Sequence, residues 1–567
     1  MRIPDDPLEL ARFLRFIVDT CMQSQKERNA LYQKRRRYFM YGQNQEQKVK
    51  FNRLKSHIEL VTSFLYSAEG LVYNISAPQN AEEVLIQQMK SIEDRWNETV
   101  RDSGLADAAD QAIMWGVVND SMFMKIGWND ISEMPFGTLI NPANFGVFRE
   151  DLDELDAQPA MVHSFIIDYD DAVARLRRGG LASRIPELVT SAGAEEDTGL
   201  PSAVQQLIIA STSGTNLAGN VSGVVNPNYE ASPMFAPRLD QPMCHFYEAW
   251  VWDDETGDWR IFHFLDPDIV LADSRKTIAA LKRAQEKDQK KPAKYDSDSN
   301  FFLRHETPFV HFRPYDLYDY FWGDCHLEDL IGLQNWQTER LEQINEILEQ
   351  QSDPAKVFSG FVGLDDEKAE ALGGPGTWVA DGLPSAKVDR LAPQMPEDLF
   401  AEFNQIANLF MEQSGLTETI AGKGSQGVRS KSHAQQLNIT GGGRIRRVAV
   451  GLEQPLVKMG NLGIKLMMRN DPQLLTTEEN MEFAAAQADP TFTMRIAGHS
   501  HSPLFTTETR ELATILLKSR AIDRARFVRM LNPTAQDAIL HELKRIEASE
   551  AQAMQAKAAA PTARRRA

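Results

Sequence analysis

One uninterrupted helical pattern constrains the fold of this chain more than any other feature of its sequence. Gly323 and Asp324 punctuate the chain, and from there to the Asp353-Pro354 pair the apolar side chains recur every three or four residues. This pattern predicts a helix over residues 325–351, about 40 Å long at a rise of about 1.5 Å per residue. Its apolar stripe consists of Leu327, Leu330, Ile331, Leu341, Ile344 and Leu348.

A second stripe on the same helix is acidic, and a second acidic helix follows. The acidic stripe consists of Glu339, Glu342, Glu346 and Glu349, which are three or four positions apart. A further helix is predicted over residues 396–414, which contain no lysine or arginine. Its apolar face comprises Leu399, Phe403, Ile406 and Phe410, and its acidic residues include Glu402 and Glu412. Residues 352–395 are short apolar pieces broken by GGPG and DGLP, which predicts a small α/β module between the two helices.

The sign of the charge reverses after these helices. Residues 423–469 contain nine lysines and arginines against one acidic residue, Glu453. They include the glycine-rich stretches AGKGSQG and GGG, and a helix over 444–470 that we expect to bend near Pro455. The later elements are predicted as a hairpin over 481–497 and helices over 506–518 and 524–530.

The first half of the chain mixes helical and alternating patterns, which predicts the α+β fold class. The predicted helices cover residues 8–41, 48–67, 81–103 and 105–120. The predicted strands cover residues 123–128 and 161–169, and a hairpin pairs 244–252 with 259–265 across the turn DDETGD. The basic run 34–37 is predicted to be a solvated face beside a packed aromatic end. The long segment 179–242 lacks periodicity and is predicted to be a flexible insertion.

Composition excludes several classes of protein. The 567 residues carry a net charge of −19, whereas proteins that coat nucleic acid are usually basic. The three cysteines, Cys21, Cys244 and Cys325, form no CxxC pair, so we expect buried, reduced thiols rather than a zinc site or disulfides. No signal peptide is visible, and no apolar run reaches the ~18 residues of a membrane-spanning helix. These features predict a protein that is made in the cytoplasm and does not contact a membrane.

Motifs of catalysis or cofactor binding are not recognisable in the sequence. The AGKGS segment departs from the phosphate-binding pattern GxxxxGK[ST], because Thr417 and Gly424 occupy two of its required positions. Nothing pairs the abundant carboxylates with a nucleophile or a set of metal ligands. We therefore predict no enzymatic activity, no cofactor and no metal site.

The segments PFVHFRP, YFWGD and CHLEDLIGLQNWQTERLEQI occur in that order from residue 308 onwards. Together they resemble the wing-to-stem junction of portal proteins of tailed double-stranded DNA bacteriophages. The family pattern at that junction is an apolar strand, an aromatic–glycine turn and a long helix that contains Gln and Asn. The segment SGLTETIAGKGSQGVRSKSHAQQLNITGGGRIRRVAVGLEQPLVKMG is similar to the part of those proteins that follows the second stem helix and includes the channel loop. The resemblance covers residues 300–470, and the insertion at 179–242 departs from the family.

The resemblance implies a portal-type subunit with a mixed α/β wing, a long-helix stem, a small α/β clip and a C-terminal helical crown. The implied divisions are a wing over 1–323, a first stem helix over 324–351, a clip over 352–395, a second stem helix over 396–414, a tunnel-loop region over 415–443, a long wing helix with a β-hairpin over 444–504, and a crown with a C-terminal tail over 505–567.

The function implied by the resemblance is structural. Portal subunits form a ring, usually of twelve copies, at a unique vertex of the capsid in the virion, and viral double-stranded DNA is packaged and ejected through the channel. The implied partners are the terminase large subunit, the major capsid and scaffolding proteins, and the head-completion and tail adaptor proteins. A ring of this kind is closed by head-to-tail contacts between identical subunits.

In such a ring we expect the acidic stripes to face the channel. Carboxylates there repel the DNA phosphates, and a channel that does not grip DNA lets it slide. The residues predicted to line the channel are Glu339, Glu342, Glu346, Glu349, Glu402 and Glu412. Lys423, Arg429 and Lys431 are predicted to contact DNA from the loop after the stem. The alternatives are that the acids are ordinary surface or inter-subunit charges, and that the basic residues pair with acids of a neighbouring subunit.

Two other classes of protein stay open at this stage. One is a cytoplasmic α+β enzyme, a nuclease or transferase, whose active site the sequence does not reveal. The other is a different structural protein of the head–tail junction. The mass of the assembly in solution distinguishes these classes, since a ring of about twelve copies is expected only for the portal.

Overall fold

Helical and alternating hydrophobic patterns both occur in this chain, and the computed structural model accordingly contains helices and antiparallel sheets, which confirms the α+β class. The structure describes residues 1–42, 51–66, 71–76, 83–129, 131–188, 243–265, 269–275, 306–352, 355–361, 382–391, 396, 398–414, 443–470, 493–496, 506–531 and a few positions between 539 and 549. Contacts divide the chain into two units. Unit 1 comprises Met1–Gln33, Ile58–His326 and Gly442–Ala567, and unit 2 comprises Lys34–His57 and Leu327–Gly441.

The helices of the first half are α1 (Pro7–Cys21), α2 (Gln25–Tyr41), α3 (Arg53–Leu65), α4 (Glu83–Asp102), α5 (Leu105–Asn119) and α6 (Tyr169–Arg178). The prediction of one helix over 8–41 is wrong, because the chain turns between α1 and α2. At that turn the hydroxyl of Ser24 donates to Glu150 and accepts from Nε of Arg28. The bond to Glu150, 126 residues away in sequence, fixes the turn to a distant part of the chain.

A five-stranded antiparallel sheet forms the larger core of unit 1. Its strands, in spatial order, are β4 (Phe145–Val147), β5 (Ala160–Asp168), β6 (Met243–Asp253), β7 (Asp258–Leu265) and β8 (Ile269–Asp273). The amphipathic helix α1 packs Leu10, Leu14 and Ile17 into the same buried cluster as Val162 and Phe262 of the sheet. The predicted hairpin is β6–β7 and is confirmed, with Trp252 opposite Trp259.

A second, three-stranded sheet is ordered β3 (Met134–Ile140), β2 (Met122–Asn129), β9 (Phe309–Phe312). Buried aromatic residues from this sheet, the five-stranded sheet and the chain after β9 share one cluster. That cluster includes Phe123, Phe309, Trp250, Phe321 and Trp322. Strand β3 was not expected from the sequence, because Pro135 and Gly137 interrupt its alternating pattern.

The C-terminal elements of unit 1 are α9 (Gly443–Gly451), α10 (Glu453–Asn470), β12 (Thr493–Ile496), α11 (Thr506–Lys518) and α12 (Arg524–Leu531). The helix predicted over 444–470 is divided into two at Leu452, and Pro455 lies in the first turn of α10, where a proline is tolerated. The bend itself stays a prediction. The hairpin predicted over 481–497 stays a prediction, because residues 471–492 lie outside the described part. Strand β12, which is described, pairs with β1 (Tyr73–Ser76), far away in sequence.

Unit 2 contains α7 (His326–Ser352), β10 (Ala355–Phe361), β11 (Gly382–Leu391) and α8 (Asp398–Ser414). Both helices predicted from the sequence are confirmed to within two residues. The strands pair antiparallel with Ala355 opposite Leu391, so the chain leaves α7 and returns to α8 through one two-stranded sheet. The division of the chain into wing, stem, clip, tunnel-loop region and crown stays a prediction.

Candidate functional site

The two acidic helices of unit 2 run antiparallel to each other. Nη2 of Arg340 on α7 lies 3.0 Å from a carboxylate oxygen of Glu402, near the start of α8. One turn and a half earlier on α7, the side-chain amide oxygen Oε1 of Gln334 accepts a hydrogen bond from the backbone N–H of Arg53 at 3.1 Å. The Arg53 guanidinium lies over the ring of Phe410, further along α8. Because the contacts move backwards on α7 as they move forwards on α8, the helices point in opposite directions.

The buried face of α7 is polar in its middle section. Leu327, Leu330 and Ile331 are buried near its start, but Gln334, Gln337 and Thr338 are equally buried one turn later. The side-chain amide of Gln334 donates to the Phe51 carbonyl oxygen at 2.6 Å and to Thr338 at 3.1 Å. The amide of Gln337 is buried with neither its oxygen nor its nitrogen hydrogen-bonded. Such a group destabilises the fold, because it loses its bonds to water without replacing them.

The predicted acidic stripe of α7 lies on the surface of unit 2. Glu339, Glu346 and Glu349 are exposed and Glu342 is half-buried. Positions seven apart fall about 20° from each other around a helix, so Glu339 aligns with Glu346 and Glu342 aligns with Glu349. Glu349 also accepts a hydrogen bond of 2.9 Å from the Asn345 amide. The four carboxylates extend over about 15 Å of helix, which makes a line of negative charge open to solvent.

The acidic residues of α8 differ from one another. Glu412 is exposed, whereas Glu402 is half-buried in its ion pair with Arg340. The charge of Glu402 is therefore compensated within the chain. The channel-lining role of all six acidic residues stays a prediction, and Glu402 contributes less to a repulsive surface than the other five.

A basic partner for α7 was missed in the sequence. Lys34 and Arg35 of α2, predicted to belong to a solvated face, both hydrogen-bond the carboxylate of Glu328 in the first turn of α7. Burial alone raises the pKa of that carboxyl, but the two cations hold it below its ordinary value. The aromatic end of the run packs as expected, because Tyr38 and Phe39 are buried. Nothing in the sequence spacing pairs residue 34 with residue 328.

The basic loop residues Lys423, Arg429 and Lys431 lie outside the residues that the structure describes. Across the described part of the chain, no group of three His, Cys, Asp or Glu residues is arranged to hold a metal ion. None of the described helices combines the length and the apolar character needed to cross a bilayer. All three cysteines are buried and outside any disulfide.

A buried charged cluster in the described part of unit 1 was not indicated by the sequence. Nζ of Lys125 on β2 donates to both carboxylate oxygens of Glu248 on β6 at 2.8 Å, which links the two sheets. His163 and His263 stand opposite Glu248 on the adjacent strands. Burial alone raises the pKa of Glu248, but Lys125 and the two histidines hold it well below its ordinary value. With Glu248 only 3% exposed, the cluster is closed to substrates and has a structural role.

A buried serine–histidine contact bears on the enzyme alternative. The hydroxyl of Ser121 lies 3.1 Å from Nε2 of His311, the distance expected between a nucleophile and its base. Ser121 is fully buried, however, and its oxygen also accepts the backbone N–H of Gly323 at 3.3 Å. The contact therefore supports the turn before α7 rather than an active site.

No known protein-family model matches this chain, and no curated protein is significantly similar to it.

Proposed function

We propose that this chain is the subunit of a portal-type ring, through whose channel double-stranded DNA passes into and out of a viral capsid. The proposal joins the resemblance of residues 300–470 to one feature of unit 2. That feature is an antiparallel pair of helices joined by a two-stranded sheet, with a line of exposed carboxylates along the longer helix. Repeated around a ring, this line becomes successive circles of negative charge.

The physical argument concerns how strongly the channel side chains attract the DNA phosphates. Duplex DNA carries about one negative charge per 1.7 Å, and each lysine or arginine contact holds it by releasing counterions. Carboxylates offer no such contact, and their repulsion decays over a Debye length of about 8 Å at physiological salt. A channel lined with Glu339, Glu342, Glu346 and Glu349 therefore centres DNA without holding it.

The other parts of the proposal follow from the resemblance to portal proteins. The ring has about twelve copies, stands at one vertex of the virion and is assembled in the host cytoplasm. It docks the terminase large subunit, the capsid and scaffolding proteins, and the head-completion and tail adaptors, and it catalyses no reaction itself. Lys423, Arg429 and Lys431 contact DNA from the loop between α8 and α9.

The experiment that tests this function is the mass of the purified assembly. Twelve copies of the 63.9 kDa chain give about 770 kDa, and negative-stain images should show a ring with a central hole. A stable monomer, above all one with nuclease activity, contradicts the proposal and supports the enzyme alternative.

A further inference from the structure

One end of unit 1 presents a projecting tyrosine. Between β9 and α7 the chain forms a loop over residues 313–324, in which Leu317, Tyr318 and Tyr320 are exposed. Tyr318 is 95% exposed, although Phe321 and Trp322, three and four residues later, are buried in the core. A large aromatic side chain in this position has no role in the packing of its own chain.

The loop that carries Tyr318 is fixed by hydrogen bonds. Nη1 of Arg313 donates to the carbonyl oxygens of Tyr320 and Phe321, both at 3.0 Å. The backbone N–H of Phe321 donates to the Glu150 carbonyl oxygen at 2.7 Å. A loop backbone held in place before binding loses little entropy when a partner covers it, and tyrosine is enriched among residues that dominate binding energy.

The surroundings of Tyr318 are acidic. Asp316 and Asp319 flank it in the loop, and Asp151, Asp153 and Glu154 follow Glu150, which bonds the loop. Arg313 lies 3.7 Å from Asp153 and also contacts Asp316, and Arg149 pairs with Asp151. Five carboxylates against two guanidinium groups leave a net negative surface.

The last turn of helix α6 is basic, whereas Asp170 and Asp171 lie in its first turn. Helix α6 ends in Arg175, Arg177 and Arg178. Arg175 is held in place by Asp171 at 3.1 Å and by the face of Phe246 at 4.9 Å. Arg177 and Arg178 are exposed, and Nη2 of Arg178 lies 3.9 Å from the other carboxylate oxygen of Asp171. Exposed arginines suit both carboxylates and the face of a tyrosine ring.

The two surfaces lie at opposite edges of the five-stranded sheet. The acidic loop is bonded at Glu150, three residues after the edge strand β4. Helix α6 begins after β5 and ends beside the other edge strand, β8, because a Cβ at Gly179, directly after Arg178, would lie 3.9 Å from the Leu271 carbonyl oxygen. Four strand spacings of about 4.8 Å separate the two edges by about 19 Å. Complementary surfaces on opposite sides of one body form a head-to-tail contact that repeats from copy to copy.

We propose that the loop bearing Tyr318 and Asp319 of one copy docks on Arg177 and Arg178 of the next copy, and that this contact closes the ring. The inference rests on the proposed function, because it names the interface of that ring. Tyr318 supplies the buried aromatic group and Asp319 the charge that pairs with an arginine. Because the contact is charged, its strength falls as salt concentration rises.

The first experiment measures assembly mass for charge-reversal variants of the full-length chain. We expect Asp319→Arg and Arg177→Glu/Arg178→Glu each to raise the subunit concentration needed for assembly at least about tenfold. Combining them restores the attraction and should recover most of the loss. The matched control for the helix is Arg12→Glu on the exposed face of α1. The control for the loop is Ile131→Asp, since Ile131 is 96% exposed in the turn between β2 and β3.

The second experiment is cross-linking. All three native cysteines are buried, so cysteines introduced at exposed positions are the ones that react. A chain carrying Tyr318→Cys and Arg177→Cys should form disulfide-linked multimers under mild oxidation, up to the size of the ring. The pair Ile131→Cys and Arg177→Cys should give none.

The outcomes separate the two proposals. A wild-type monomer overturns the proposed function. If the wild-type chain forms a ring, but the charge-reversal variants assemble equally well and the cysteine pair gives no multimers, only this inference is overturned. Disulfides that form only within single chains also overturn it. So does a ring that stays intact while the loop is covered by a different protein.

Discussion

Reversal of the charge on three glutamates of α7 should convert a channel that repels DNA into one that binds it. The variant is Glu342→Lys/Glu346→Lys/Glu349→Lys. These positions are exposed or half-buried and none lies in the buried seam of the helix, so we expect normal folding and assembly.

The size of the effect follows from the length of the helix. Residues 342 to 349 span about 10 Å, and a duplex running alongside presents about six phosphates over that distance. Each subunit adds three lysines, so two or more subunits of the ring together can contact all six phosphates. Six lysine–phosphate contacts make the affinity for DNA fall about a thousandfold between 50 mM and 200 mM salt. The wild-type carboxylates make no such contacts, so the wild-type ring should bind duplex DNA weakly at both concentrations.

Two measurements check this prediction. Fluorescence anisotropy with a 30-base-pair duplex should show tight binding to the lysine variant at 50 mM salt and release by 200 mM. DNA packaging with the cognate capsid and terminase should be slowed at low salt and recover as salt rises. The triple glutamine variant is the control, because it removes repulsion without adding attraction. Assembled lysine rings that package at the wild-type rate in 50 mM salt refute the reasoning.

Three further predictions concern stability and are measured by urea unfolding. Replacement of Gln337 by Leu removes a buried amide without hydrogen bonds and should increase the free energy of unfolding by about 1–3 kcal/mol. Lys125→Met removes the lysine cation that pairs with the buried carboxylate of Glu248 and should lower the free energy of unfolding by about 3–5 kcal/mol, most of which Glu248→Leu in the same chain should restore. Burial lowers the pKa of His163 and His311, so the folded protein binds fewer protons than the unfolded chain just below pH 6.5, and stability should fall as pH decreases there.

Each of these three stability predictions has an outcome that would contradict it. A destabilised Gln337→Leu protein shows that the amide is satisfied in solution. An unchanged Lys125→Met protein shows that the ion pair between the sheets is not formed. A free energy of unfolding that stays level from pH 7 to pH 5, or that falls equally when both histidines are replaced by asparagine, contradicts the assignment of the pH dependence.

The elements of unit 2 were predictable because their signals are local. The apolar spacing over 325–351 and the Asp353-Pro354 stop determine where α7 ends, and both can be read without knowledge of the rest of the chain. The break between α1 and α2 was not predictable, since it depends on Glu150 reaching Ser24 from a distant part of the sequence. The pairing of β12 with β1 was not predictable for the same reason, because strand partners are set by tertiary packing.

The candidate site shows the same limit. Helical periodicity alone indicated that Glu339 and Glu346 share one face of α7. It did not indicate that Glu402 is compensated by Arg340 or that Glu328 is compensated by Lys34 and Arg35, because these pairs join separate elements. Sequence patterns therefore identified the acidic helices, while the structure was needed to separate the exposed charges from the paired ones.

The register of strands β5 and β6 has a practical consequence for engineering. Asp168, the last residue of β5, stands directly opposite Met243, the first residue of β6. Leu188, the last described residue before β6, packs against the same apolar cluster as Cys244. The stretch of 54 residues between Leu188 and Met243 thus leaves and re-enters the sheet at neighbouring points. A short linker can bridge those points, so this position offers a place to trim the chain or to graft a reporter or an affinity handle.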